Sequence, residues 1–185
     1  MIKHSEELYN VIEQTWPTRR RKTIGHWTLS DQLAGKKWVF AATFAGAHNA
    51  PNIETAEIGM LELKQTSIFM IQDGQSQLDH ELHLRGYSII DPMYIFVTPT
   101  DKLTKKLPPR MCTFDIWEPL EIQKDIWAQA GIDPNCVENM YRAKHPKTSL
   151  FMRWEGRPAG TAFLAIHNNI AIVHALEILP QQQRK

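Results

Sequence analysis

The 185-residue chain is 43% hydrophobic and 22% charged, with a formal net charge of +1, the make-up of a globular protein of one or two units with a substantial core. The balanced charge argues against a dedicated nucleic-acid binder, and no apolar run approaches the roughly 20 residues of a membrane span. The N-terminal stretch is polar and lacks the apolar core of a secretion signal, and Cys112 and Cys136 have no metal-type spacing; a mixed α/β, cytoplasmic protein with free or buried thiols is expected.

Ser5 can cap a first helix running to about Trp16, with Leu8, Val11, Ile12 and Trp16 near one face. Pro17 ends it, and Arg19–Lys22 reads as a solvated basic loop rather than a phosphate patch. Thr23–Ser30 and Lys37–Ala45 read as two strands joined by a long connection around Gly35. Asn52 starts a second helix carrying Ile53, Ala56, Met60 and Leu63 at helical spacing. Ser67–Gln72 is a short buried strand, and Asp73-Gly74 is a turn. Ser76 caps a third helix with Leu78 and Leu82 inward and Gly86 at the left-handed position after its end. Ile89–Thr98 is expected to return as a strand, and the proline-rich, basic Thr98–Met111 to link two halves.

The second half opens with a strand at Thr113–Trp117. Glu118-Pro119 is expected to open a helix with Pro at its first position, and Asp133-Pro134 to open another, with Val137, Met140 and Tyr141 on one face. Thr148–Trp154 and the chain from Arg157 to His167 form strands around a Glu155-Gly156 turn. Asn168-Asn169 turns the chain again, because Asn tolerates positive φ. A last strand runs from Ile170 to about Leu179, where Pro180 ends the ladder. The order is β-α-α-β-β-β.

Leu176–Lys185, LEILPQQQRK, resembles the acetyl-CoA motif of the GCN5-related N-acetyltransferase family. That motif is a strand ending in hydrophobic-x-Pro, followed by Gln/Arg-x-x-Gly-x-Gly/Ala at the start of a helix. Gln183-Arg184-Lys185 matches its first three positions; a Gly-x-Gly and a further β-α-β are expected after Lys185. The β-α-α-β-β-β order and the hairpin FMRWEGRPAG extend the resemblance over Met111–Lys185. It implies the N-terminal half of that fold at residues 111–185, preceded by a small α/β domain at residues 1–107. Leu82–Tyr87 resembles the family's Leu-x-x-x-Gly-Phe/Tyr ending, so the first domain is expected to be either a degenerate relative of the same fold or a domain that merely shares its α/β order.

The resemblance implies acetyl-CoA-dependent acetyl transfer to a primary amine, on a small molecule or a peptide. It assigns the pantetheine arm to backbone groups at Leu176, Glu177 and Ile178, with an N–H near Ile178 facing the thioester carbonyl. It assigns the pyrophosphate to Gln183, Arg184 and Lys185. A general base is sought on the same strand, where strand alternation puts His174 on one face with Leu176 and Ile178, and Glu177 on the other. The family's general acid, a tyrosine, is expected beyond Lys185. The competing expectation is a non-catalytic module that pairs with a second copy or a partner to cover its sheet edge. No metal is expected: the histidines make no H-x-x-x-H or Cys/His cluster, and His80 and His83 fall on the wet side of their helix.

Overall fold

The computed structural model describes residues 5–30, 41–45 and 52–184. They divide into two compact units, one of residues 18–97 and the other of residues 1–17 together with 98–185.

In the unit of residues 18–97, β1 (Arg21–Ile24), β2 (Trp27–Ser30), β3 (Ala42–Phe44) and β4 (Phe69–Met70) form a sheet in the order β1-β2-β3-β4. The first three strands are antiparallel and β4 runs parallel to β3. A parallel neighbour requires a crossover, and α2 (Ile53–Glu62) supplies it. Asn52 caps α2 by accepting the Thr55 N–H. Ile53, Ala56 and Met60 pack into a core with Trp27, Leu29 and Phe44. α3 (Ser76–Leu84) adds Leu78 and Leu82. It ends in a Schellman arrangement, with Gly86 at φ +86° and the Tyr87 N–H on the Leu82 carbonyl.

Three sequence expectations change here. The strand expected at Thr23–Ser30 is a hairpin, because Gly25 at φ +59° turns the chain between β1 and β2. The basic run is not all loop: Arg21 and Lys22 are exposed in β1, and Lys22 pairs with Glu62. The strand expected at Ile89–Thr98 pairs with nothing among the described residues, and its apolar side chains are exposed. The part of the expected Lys37–Ala45 strand before residue 41, and Gly35, lie outside the described residues.

In the other unit, β5 (Thr113–Ile116), β6 (Lys147–Trp154), β7 (Arg157–His167) and β8 (Ile170–Ile178) form an antiparallel meander in sequence order. Glu155-Gly156 and Asn168-Asn169 turn it, all four residues at positive φ. Between β5 and β6 come α4 (Glu121–Gln129) and α5 (Pro134–Arg142). Asp133 caps α5 and Pro134 takes its first position. α4 starts later than the Glu118-Pro119 pair suggests: the Gln123 side chain accepts the Leu120 N–H, which makes Leu120 the cap.

α1 (Ser5–Thr15) packs on β7 and β8, so the first 17 residues group with this sheet and not with the rest of residues 1–107. Its inner face buries Val11 and Thr15, and Trp16, just past its end, is buried as well. The polar sequence around these residues gives no sign of which sheet they serve.

Candidate functional site

The chemistry-bearing residues foreseen on β8 sit around a break in its pairing. His174 faces Phe163 and Glu177 faces Thr161, so Ala175 and Leu176 together oppose Ala162 alone. This is a β-bulge. Ala175 takes the left-handed conformation, φ +48°, which costs a non-glycine residue roughly 1–2 kcal/mol. The carbonyl this turns out of the ladder accepts a 2.8 Å hydrogen bond from the indole Nε1 of Trp127, a fully buried side chain on α4.

The bulge corrects the strand alternation. Directly opposed residues project to the same face, and Phe163 and Thr161 are two apart on regular β7. His174 and Glu177 therefore share the face covered by α1 and α4, where alternation alone separates them. Leu176 is 58% exposed.

His174 is buried between Trp16 and Phe163, with ring centroids at 5.0 and 6.2 Å. Its Nε2 lies 2.8 Å from Thr15 Oγ1. The Thr15 hydroxyl donates to the Val11 carbonyl at 2.7 Å, so Nε2 carries the proton and donates to Thr15. Burial lowers the His174 pKa from 6.5 to about 4. Its imidazole is therefore neutral at physiological pH, and it is enclosed between the two rings with Nε2 committed to Thr15.

Because His174 takes up its proton later in the folded state than in the unfolded chain, acid favours unfolding. Its contribution is nil above about pH 6.5, grows as pH falls toward 4, and levels off near about 3 kcal/mol below that. Replacing His174 with Leu is expected to flatten the dependence of the unfolding free energy, measured by urea titration, between pH 7 and pH 4 by this amount; equal slopes in the two proteins would refute the assignment.

The same face holds a buried polar cluster. Gln123, fully buried, donates through Nε2 to Ser149 Oγ and Thr161 Oγ1, each at 3.1 Å. Ser149 and Thr161 pass their own protons to the Ile116 and Leu150 carbonyls. The side-chain groups of Gln123, Ser149 and Thr161 all have partners, which fixes α4 over β6 and β7 and holds Thr161, hence Glu177, in register. Further along, Lys147 Nζ donates to the Met140 and Tyr141 carbonyls at the end of α5 and sits 4.4 Å from the Trp117 ring centroid. Burial lowers the Lys147 pKa, against a smaller raising effect of Glu118. The Tyr141 hydroxyl is pushed up by burial first and by Glu118 second.

Among the described residues β8 is the edge of its sheet. The Leu179 N–H bonds the Ala159 carbonyl at 2.9 Å. By antiparallel alternation the Glu177 backbone faces β7, and the Ile178 N–H and carbonyl point to the free edge. The Ile178 carbonyl accepts from Gln183 Nε2 at 3.1 Å. Gly160 lets the strands close up here: a Cβ would stand 2.5 Å from the Glu177 carbonyl oxygen.

Pro180–Gln182 form one 3-10 turn after β8. Gln183 and Arg184 are exposed, Arg184 at φ +60°. Lys185 lies outside the described residues. An open groove of about 350 Å³ runs between α4, the start of β7 and this turn, with Ile126, Pro158 and Leu179 in it and Asp125, Arg157 and Gln182 among its polar groups. Of the foreseen residues, the structure brings His174 and Glu177 to one face and Ile178 and Gln183 to one edge.

Sequence reasoning missed Trp127, Gln123 and Thr15 as the groups that hold the strand. A buried Trp needs a partner for its N–H, which is the one available signal. Among the described residues no group of His, Cys, Asp and Glu could hold a metal ion, both cysteines are free thiols, and no helix is long and apolar enough to cross a membrane.

No protein-family model matches the sequence, and no curated protein matches it. A solved structure does: a GCN5-related N-acetyltransferase from Kribbella flavida superposes with a TM-score of 0.70, over all of this chain and 76% of that one, at 17% identity. The chain has the fold of a GCN5-related N-acetyltransferase. At this identity the likeness concerns the fold alone. Within that fold the bulged strand is β8, and the helices over it are α1 and α4.

Proposed function

We propose that the protein is an acetyl-CoA-dependent N-acetyltransferase acting on a primary amine, of a small molecule or a peptide. The observation that carries this reading is the end of β8. A bulge locked by Trp127 brings Glu177 to the helix-covered face, and the next residue offers its backbone to a free edge. The acetyltransferase fold of the whole chain supports it.

The residues present fit the cofactor. A pantetheine arm carries amides, and a strand edge binds amides through backbone groups. The Ile178 N–H would donate to it, and the Ile178 carbonyl would accept once the exposed Gln183 side chain moves aside. Gln183 and Arg184 would meet the phosphates, Arg184 through its guanidinium. When bound, acetyl-CoA supplies an acetyl group activated as a thioester.

Glu177 takes the proton from the substrate ammonium, which frees the amine lone pair for attack. It is half-buried, and its backbone is fixed against Thr161 by the Gln123 cluster. His174 does not take the proton; it ties α1 to the strand beside the bulge. The groove beside α4 holds part of the amine substrate, with Asp125 as a carboxylate for a second cationic group.

Mixing the protein with acetyl-CoA and a panel of primary amines, and following release of free thiol, tests the reading. Amine-dependent thiol release is expected. Thiol release with none of the amines would refute it.

A further inference from the structure

The α4 wall of the open groove is built from Ile122, Asp125, Ile126 and Gln129, the i, i+3, i+4 and i+7 positions of one helical face. Ile126, Pro158 and Leu179 give the groove an apolar lining. Two opposite charges share it: Asp125 from α4 and Arg157 from the start of β7, both exposed. They do not pair with each other, and neither side chain makes a hydrogen bond or ion pair among the described residues. Gln182 lines the same groove, and its Oε1 is buried with no hydrogen-bond partner among the described residues. A buried acceptor without a donor is costly, and an N–H brought by a ligand would relieve it.

These three groups together select one kind of ligand. A phosphate would be repelled by Asp125, and a plain diamine by Arg157. A lysine inside a peptide carries neither charge at its α-carbon. A free amino acid carries both: an ammonium with three donors, and a carboxylate that a guanidinium grips with two parallel bonds. The volume of about 350 Å³ is near the lower end for small-molecule sites, roughly 300–1,000 Å³.

We propose that the groove binds the α-ammonium and α-carboxylate of a free diamino acid of lysine length, whose side-chain amine is the acetyl acceptor. This rests on the acetyltransferase reading and narrows its substrate. Arg157 holds the carboxylate, and Asp125 and the Gln182 Oε1 accept from the α-ammonium. The methylenes lie on the apolar lining. The reach agrees with this placement. Leu179, in the groove, stands two residues beyond Glu177, roughly 7 Å along an extended chain. The five bonds from the α-carbon of lysine to its side-chain nitrogen span about 6 Å. At Glu177 the amine nitrogen bonds the acetyl carbon and displaces coenzyme A as its thiol. Of the ammonium's three protons, one stays on the new amide, one ends on the thiol, and one passes through Glu177 to water.

Thiol release by the full chain with acetyl-CoA tests this on four acceptors. They are L-lysine; cadaverine, which lacks the carboxylate; 6-aminohexanoate, which lacks the α-ammonium; and Nα-acetyl-lysine amide, which lacks both charges. The kcat/KM for L-lysine is expected to exceed each of the others by about 10–100-fold, the worth of one charge-assisted contact. Tandem mass spectrometry should place the acetyl group on the side-chain nitrogen. Arg157→Gln should remove the advantage of L-lysine over cadaverine, and Asp125→Asn its advantage over 6-aminohexanoate. Both positions are exposed, so the melting curves should be unchanged. Thiol release without a preference for L-lysine, acetylation of the α-nitrogen, or variants that keep the wild-type preferences would each overturn the proposal and leave the acetyltransferase reading standing. So would weakened acetyl-CoA binding by Arg157→Gln, which would place Arg157 on the cofactor. Thiol release with no amine at all would refute that reading, and this proposal with it.

Discussion

Glu177→Gln is expected to lower the turnover of amine acetylation by about 10²–10⁴-fold, the usual contribution of a positioned general base. Gln preserves the size and the hydrogen-bonding reach of the side chain but cannot take up a proton. The affinity for acetyl-CoA should be unchanged, because the groups assigned to it at the edge of β8 are the backbone of Ile178 and the side chains of Gln183 and Arg184. A fall in turnover without a fall in binding separates loss of the base from collapse of the strand. The effect depends on the bulge: without it, Glu177 would project to the face opposite His174, away from α1 and α4. Turnover within a few-fold of wild type would remove Glu177 from the mechanism.

Trp127 should be the most sensitive position for stability. Trp127→Ala empties a fully buried site and is expected to destabilise the fold by about 3–5 kcal/mol. Trp127→Phe is the more informative change. It keeps most of the apolar volume and deletes the bond to the Ala175 carbonyl, which then loses its partner at an expected cost of about 1–3 kcal/mol. Adding Ala175→Gly to Trp127→Phe should recover part of this, since glycine takes the left-handed conformation without the Cβ penalty. Denaturant midpoints measured on the three variants check the series. If Trp127→Phe is neutral within about 0.5 kcal/mol, ordinary for an unconstrained site, the indole does not hold the bulge.

Much of the meander was legible from local chemistry. Asp133-Pro134, Glu155-Gly156, Asn168-Asn169 and Pro180 each declare a cap, a turn or a stop whose backbone preference is strong enough to survive packing. The bulge in β8 was not legible. Ile170, Ile172, His174, Leu176 and Ile178 keep a perfect period of two, so the sequence looks regular where the strand is not. What decides the matter is a bond to Trp127, 48 residues away in sequence. Thr15 is similar, since nothing in a polar N-terminal helix says that one hydroxyl will meet His174. The hairpin at Gly25 was hidden by its strand-forming neighbours. At Ile89–Val97 the local propensity for a strand is real, and it lacks a partner among the described residues, which pattern cannot reveal.

Amide hydrogen exchange of the protein with and without acetyl-CoA tests the central claim most directly. The account predicts that acetyl-CoA slows exchange at the Ile178 amide and around Gln183 and Arg184, and leaves the strands β5 and β6 unchanged. Saturating acetyl-CoA that leaves exchange along β8 untouched would contradict the assignment of this strand edge as the cofactor site.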